Sequence, residues 1–360
     1  MKWAALIFIV FLSVTVFAQT SAESMVKQYS ISGEKPTSAI SIAKQYQILN
    51  QKVNNTSIAK NYVIANSIYS NISFPKYYSI GHLEKAIIKE NIQTPVQINS
   101  TAPKTDKINS NTYALIIGNE DYQTYQSELN TEQNVSFAVN DAKTFKEYCI
   151  NTLGIPTLNI VYLENAGLVK FKQAINQMNL LAKHKNGKAK IIFYYAGHGF
   201  PDEKSHEPYL IPVDVSGNQL DMAISQNYVI DKLTEFSSEK VIVFFDACFS
   251  GGGRNQGLVA ERGIKIIPAQ TKLTNNLVVF SSSSSNQTSL PYNEKQHGLF
   301  TWFLLEKINE SKGECTLGEL DSYLVENVSI KSVLINKKEQ VPVTQTSPEL
   351  NTNWKNWKIY

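Results

Sequence analysis

The chain has 360 residues, 42% of them hydrophobic and 11% aromatic, which is ample for a buried core and excludes wholesale disorder. At about 100–200 residues per domain, it holds one large domain with an appendage, or two domains. With 34 basic and 31 acidic residues the formal net charge is +3, too near balance for a dedicated nucleic-acid binder.

Residues 1–18 read MKWAALIFIVFLSVTVFA. Lys2 gives a positive start, an apolar run follows from Trp3 to Phe17, and Val16-Phe17-Ala18 closes it with a small-x-small pattern. This is the shape of a secretory signal peptide. A membrane anchor is the alternative, but the run falls short of the roughly 20 residues a span needs. The expected location is secreted or periplasmic. No later run is apolar enough for a membrane span in the mature chain.

Residues 19–110 form an N-terminal region and linker. They carry ten lysines against five acids, with Ile, Ala and Tyr at loose helical spacing over 38–68. Pro95, Pro103 and several Asn and Ser make 92–112 read as a linker. No chemistry is visible here. A spacer, a prodomain and a small helical module fit alike.

From Asn111 onward apolar runs alternate with amphipathic ones. Strands are expected at 113–117, 159–163, 191–195, 241–245 and 277–280. Helical spacing marks 135–148, 168–181, 228–236, 299–308 and 317–325. Fully apolar strands between helices imply an α/β sandwich with a mostly parallel central sheet and helices on both faces. Right-handed crossovers are expected throughout. Ligands on such sheets bind beyond the carboxyl ends of the strands.

At those ends stand Ala196-Gly197-His198-Gly199, after the third strand, and Asp246-Ala247-Cys248-Phe249-Ser250-Gly251-Gly252-Gly253, after the fourth. A histidine and a cysteine thus occupy equivalent positions on two strands expected to be neighbours. A thiol is a weak nucleophile at its ordinary pKa, and a nearby imidazole activates it. The N–H groups of Gly199 and Cys248 are candidates for an oxyanion hole. Alone, such a cysteine is usually a core hydrophobe and such a histidine a turn residue. Together, in equivalent places among glycines, they point to catalysis. His82, His184, His206 and His297 show no metal-ligand spacing, so no metal site is expected. The three cysteines, Cys149, Cys248 and Cys315, are too few and odd in number for a disulfide scaffold. A Cys149–Cys315 disulfide and two free thiols fit equally.

YYAGHG (194–199) and DACFSG (246–251) resemble the two signature blocks of the caspase/metacaspase family of cysteine peptidases. YALIIGNEDY (113–122), FAVNDA (137–142), EPYLIPVD (207–214), SSSSSNQTS and HGLFTWFLLEKI extend the likeness in the right order. The resemblance is to bacterial caspase-like proteins rather than to the aspartate-specific animal enzymes. It implies a caspase–haemoglobinase-like fold over 111–360, with a large part 111–253, an intervening loop 254–276 and a small part 277–360. It implies that Cys248 is the nucleophile and His198 the proton shuttle. It also implies an acidic S1 pocket lined by Asp246 and Asp141. Such a pocket selects polypeptide substrates with Arg or Lys at P1, since paired carboxylates favour a cation. The bland readings are a capping carboxylate at Asp246 and an exposed first-turn acid at Asp141.

The sequence departs from the family at two places. Ala196 stands where metacaspases usually carry a small polar residue. Asp202 and Glu203 are present, but the acidic run that binds calcium in many metacaspases is not evident, so the resemblance leaves calcium as a cofactor open. The only two arginines, Arg254 and Arg262, both fall in the loop after Cys248, beside Lys265 and Lys272. A basic-specific peptidase would find its own processing sites there, as a zymogen does. The alternatives are a catalytically idle caspase-like binding or signalling module, and peptide ligation on the same dyad.

Overall fold

The computed structural model describes residues 102–129, 133–217, 219–249, 273–284 and 287–360. The leader 1–18, nearly all of 19–110, and Arg254, Arg262, Lys265 and Lys272 lie outside the described residues.

β1 (Thr112–Gly118), β2 (Ile160–Glu164), β3 (Lys190–Pro201), β6 (Lys240–Cys248) and β7 (Leu277–Ser281) run parallel in one sheet. The order is β10-β7-β6-β3-β1-β2, with β10 (Val343–Thr346) antiparallel at one edge. β1, β3, β6 and β7 are apolar at nearly every position because both faces are covered. α1 (Ala138–Asn151), α4 (Leu299–Glu310) and α5 (Leu317–Asn336) pack on one face. α2 (Leu168–Lys185) and α3 (Gln226–Thr234) pack on the other. Alternation along β3 sends Tyr194 to the first face, stacked on Phe145 at 4.6 Å, and Tyr195 to the second, against Phe171 at 5.6 Å. The expected sandwich, with a mostly parallel sheet and helices on both faces, is present.

Several boundaries differ from those the sequence suggests. α5 continues to Asn336, past Val325, and its extra turns are half-exposed, so they carry little apolar periodicity. The short strands β4 (Pro208–Leu210), β5 (Ile224–Ser225), β8 (Pro291–Tyr292) and β9 (His297–Gly298) are too brief to show a period. β10 reads VTQT and is too polar to announce itself.

Residues 102–110, read as linker, lie against the C-terminal end of α1. The N–H of Thr105 donates to Asn151 O at 2.8 Å, and that of Asn109 to Gly154 O at 2.8 Å. Lys107 and Lys358 both bind Glu314, and Lys107 leads in pulling its carboxyl down to about 2. These surface pairs contribute little stability singly. Cys149 and Cys315 form no disulfide. Among the described residues no helix is long and apolar enough to cross a membrane.

Candidate active site

The His198 and Cys248 segments are not loops beyond their strands. β3 runs on past Tyr195 because β4 pairs with its end, Gly199 opposite Leu210 and Phe200 opposite Tyr209. β6 runs on to Cys248. The two extensions are hydrogen-bonded to each other in parallel, and His198 is the register partner of Cys248. In a parallel pair, register partners present their side chains to the same face. That face is the one covered by α1 and α4, which also receives Tyr194, Phe244 and Asp246. His198 is 2% exposed and Cys248 3%.

Two tyrosines hold the His198 backbone. Its N–H donates to Tyr122 Oη at 3.0 Å, and its carbonyl accepts from Tyr195 Oη at 2.7 Å. The ring packs on Tyr122 with centroids 4.6 Å apart. Gly197 makes room for this clamp, since a Cβ there would lie 2.6 Å from Tyr195 Oη. Gly199 is equally confined: a Cβ would meet the Phe249 ring at 2.8 Å and Cys248 O at 3.0 Å. His198 Nε2 lies 2.6 Å from Gln133 O. A carbonyl only accepts, so Nε2 carries a proton, and in the neutral ring Nδ1 is then the acceptor nitrogen.

The Cys248 sulfur faces Ser289. The Ser289 N–H donates to Sγ at 2.9 Å, and Sγ lies 3.6 Å from Ser289 O. The Ser289 hydroxyl donates to Asp246 Oδ1 at 2.5 Å. Asp246 Oδ2 accepts from the Thr301 hydroxyl at 2.6 Å and the Thr301 N–H at 3.3 Å. Asp141 lies in the first turn of α1, as expected, but it is fully buried rather than exposed. Its carboxylate accepts from Gly298 N at 3.0 Å and lies 2.7 Å from His297 Nδ1. Gly298 is the N-cap of α4 and Thr301 lies in its first turn. Both buried acids therefore meet at one helix N-terminus, where orphan N–H groups and the helix dipole favour negative charge.

Ser289, Thr301, His297, Gln133 and Tyr122 escape a reading of the sequence as site residues. His297 looks bland because its partner is 156 positions away. Ser289 is one of many serines in its segment, and Gln133 acts through its backbone. Among the described residues, no group of three or more His, Cys, Asp or Glu could hold a metal ion. Asp202 accepts from the Ser205 N–H and hydroxyl and from the Lys204 N–H, which hold its carboxyl low.

The sheet order, the helices on both faces and the paired ends of β3 and β6 are those of a caspase–haemoglobinase sandwich. The caspase-domain family model matches residues 111–351, so the chain belongs to that family, whose members are cysteine peptidases acting on polypeptides. A structural-genomics protein of Geobacter sulfurreducens superposes with a TM-score of 0.49 at 14% identity, covering 68% of this chain and 97% of that one. Caspase-1 of Spodoptera frugiperda gives a TM-score of 0.44 at 14% identity, covering 71% and 93%. No curated protein sequence matches the chain.

Proposed function

We propose that this chain is an exported cysteine endopeptidase that cleaves after Arg or Lys with His198 and Cys248 as its dyad. The observation that carries the reading is the register pairing of His198 with Cys248 on adjacent strands, facing one way. His198 takes the thiol proton and Cys248 attacks the scissile carbonyl. The acyl-enzyme forms as the amine leaves with that proton, and water then releases the acid. The N–H groups of Gly199 and Cys248, the expected oxyanion donors, lie in the ladder that joins the ends of β3 and β6, so they are not open to an oxyanion in this arrangement.

The proposed P1 preference rests on two buried carboxylates at the N-terminus of α4, Asp246 and Asp141, the first joined to Cys248 through Ser289. An entering guanidinium or ammonium displaces a neutral hydroxyl donor from Asp246, because a cation adds a charge–charge attraction that a hydroxyl lacks. The near-complete burial of His198 and Cys248 fits a resting zymogen. Export rests on the leader 1–18 alone. Fluorogenic peptides with Arg, Lys or Asp at P1 test the specificity: turnover of Arg and Lys peptides is expected, and a preference for Asp overturns it.

Two expected results arise here. Mass spectrometry of active protein should find a cut after Arg254, Arg262, Lys265 or Lys272, and an intact 251–276 segment in active protein removes self-processing. Gly199→Ala should force the ends of β3 and β6 apart, since its Cβ has no room. A displacement near 1 Å is enough to slow cleavage by about a hundredfold. Unchanged kcat in this variant would show that the tight approach at Gly199 has no bearing on the dyad.

A further inference from the structure

Resting on that reading, we propose that Ser289 is a positioning residue that sets the ionisation of Cys248, tying the nucleophile to the carboxylate that reads P1. Ser289 is fully buried between β7 and β8 and has two distinct attachments. Its hydroxyl donates to Asp246 Oδ1, and its N–H donates to Cys248 Sγ. The next residue is fixed as well: Leu290 N–H donates to Gln340 Oε1 at 2.8 Å, and Gln340 Nε2 donates to Ser282 O at 2.9 Å. The main chain at Ser289 is therefore held on one side by Asp246 and on the other by Gln340.

The consequence is electrostatic. A donor aimed at sulfur stabilises the thiolate over the thiol. Ser289 offers a partner to each form, its carbonyl to the S–H and its N–H to the anion. The shorter separation, 2.9 against 3.6 Å, favours the anion. Other ionisable groups reach this face from every side. They are His198 on β3, Asp246 on β6 itself, Asp141 on α1 and His297 on β9. The Asp246 and Asp141 charges oppose a thiolate, so a fixed N–H donor is needed to offset them. The Ser289 hydroxyl holds that donor in place.

The test follows the ultraviolet absorbance of the Cys248 thiolate against pH in the full chain, with Cys248→Ala as the blank. Ser289→Ala keeps the N–H but loses the hydroxyl that holds it. Its midpoint should rise by about one pH unit, which is about tenfold less thiolate below the midpoint. Ser289→Thr restores the hydroxyl and should titrate close to the parent. Gln340→Ala loosens the same segment without touching Asp246 or Cys248, and should move the midpoint in the same direction. A role in stability alone would lower the melting temperature of these variants and leave the midpoint where it was. An unchanged midpoint in Ser289→Ala, or in Gln340→Ala where the first variant does not fold, overturns the proposal. The titration needs no substrate. A chain that cleaves no basic peptide refutes the peptidase reading without deciding this one.

Discussion

Cys248→Ala should abolish peptide cleavage, and His198→Ala should lower kcat by about 10²–10⁴-fold, the usual contribution of a positioned acid–base group. The two losses should not add. The imidazole acts only on the thiol proton, so the double variant should be no slower than Cys248→Ala. Neither change should unfold the protein. Cys248→Ala removes one buried sulfur, a loss of about 1 kcal/mol. His198→Ala leaves the backbone clamp intact, because Tyr122 and Tyr195 bind main-chain atoms of residue 198. Kinetics on matched peptides with thermal melts of each variant decide the matter. Turnover that survives Cys248→Ala would mean that another residue is the nucleophile.

How much of this was legible in the sequence follows from the range of the interactions involved. The strands were plain because a sheet covered on both faces must be apolar at every position, as IIFYY and VIVFF are. The equivalence of His198 and Cys248 was also readable, since both follow such runs at similar offsets. Their strands continue through them only because β4 folds back onto β3, a pairing decided by tertiary structure. The surroundings of the pair were not legible. Ser289 reaches Cys248 across 41 positions through its backbone N–H, which every non-proline residue possesses. Gln133 reaches His198 through a carbonyl. Such contacts leave no trace in residue type. The two acids stand out by resemblance, but their burial at the N-terminus of α4 rests on contacts between residues far apart in the chain. That helix begins at an HGLF segment with no Ser, Thr, Asp or Asn at its N-cap, and the missing cap is supplied in space by Asp141 and Asp246.

This borrowed cap bears on what Asp246→Asn should do. The amide is nearly isosteric and keeps one oxygen as an acceptor, so either the Ser289 or the Thr301 hydroxyl retains its bond. The other now faces an NH₂ group, and some stability is lost, about 1–3 kcal/mol for a buried polar group left poorly matched. The larger effect should fall on specificity. Removing one partner of a buried charge pair typically costs about 2–5 kcal/mol, so kcat/KM for peptides with Arg or Lys at P1 should fall by roughly a hundredfold or more. Peptides with a neutral P1 residue never used the charge and should be nearly unaffected. That contrast separates pocket from scaffold, because a merely misfolded site slows every substrate alike. Asp141→Asn should show the same pattern more weakly if its carboxylate acts from behind His297 and Gly298. If Asp246→Asn keeps its full preference for basic P1 residues, the acidic pocket lies elsewhere, and Asp246 serves α4 and Ser289 alone.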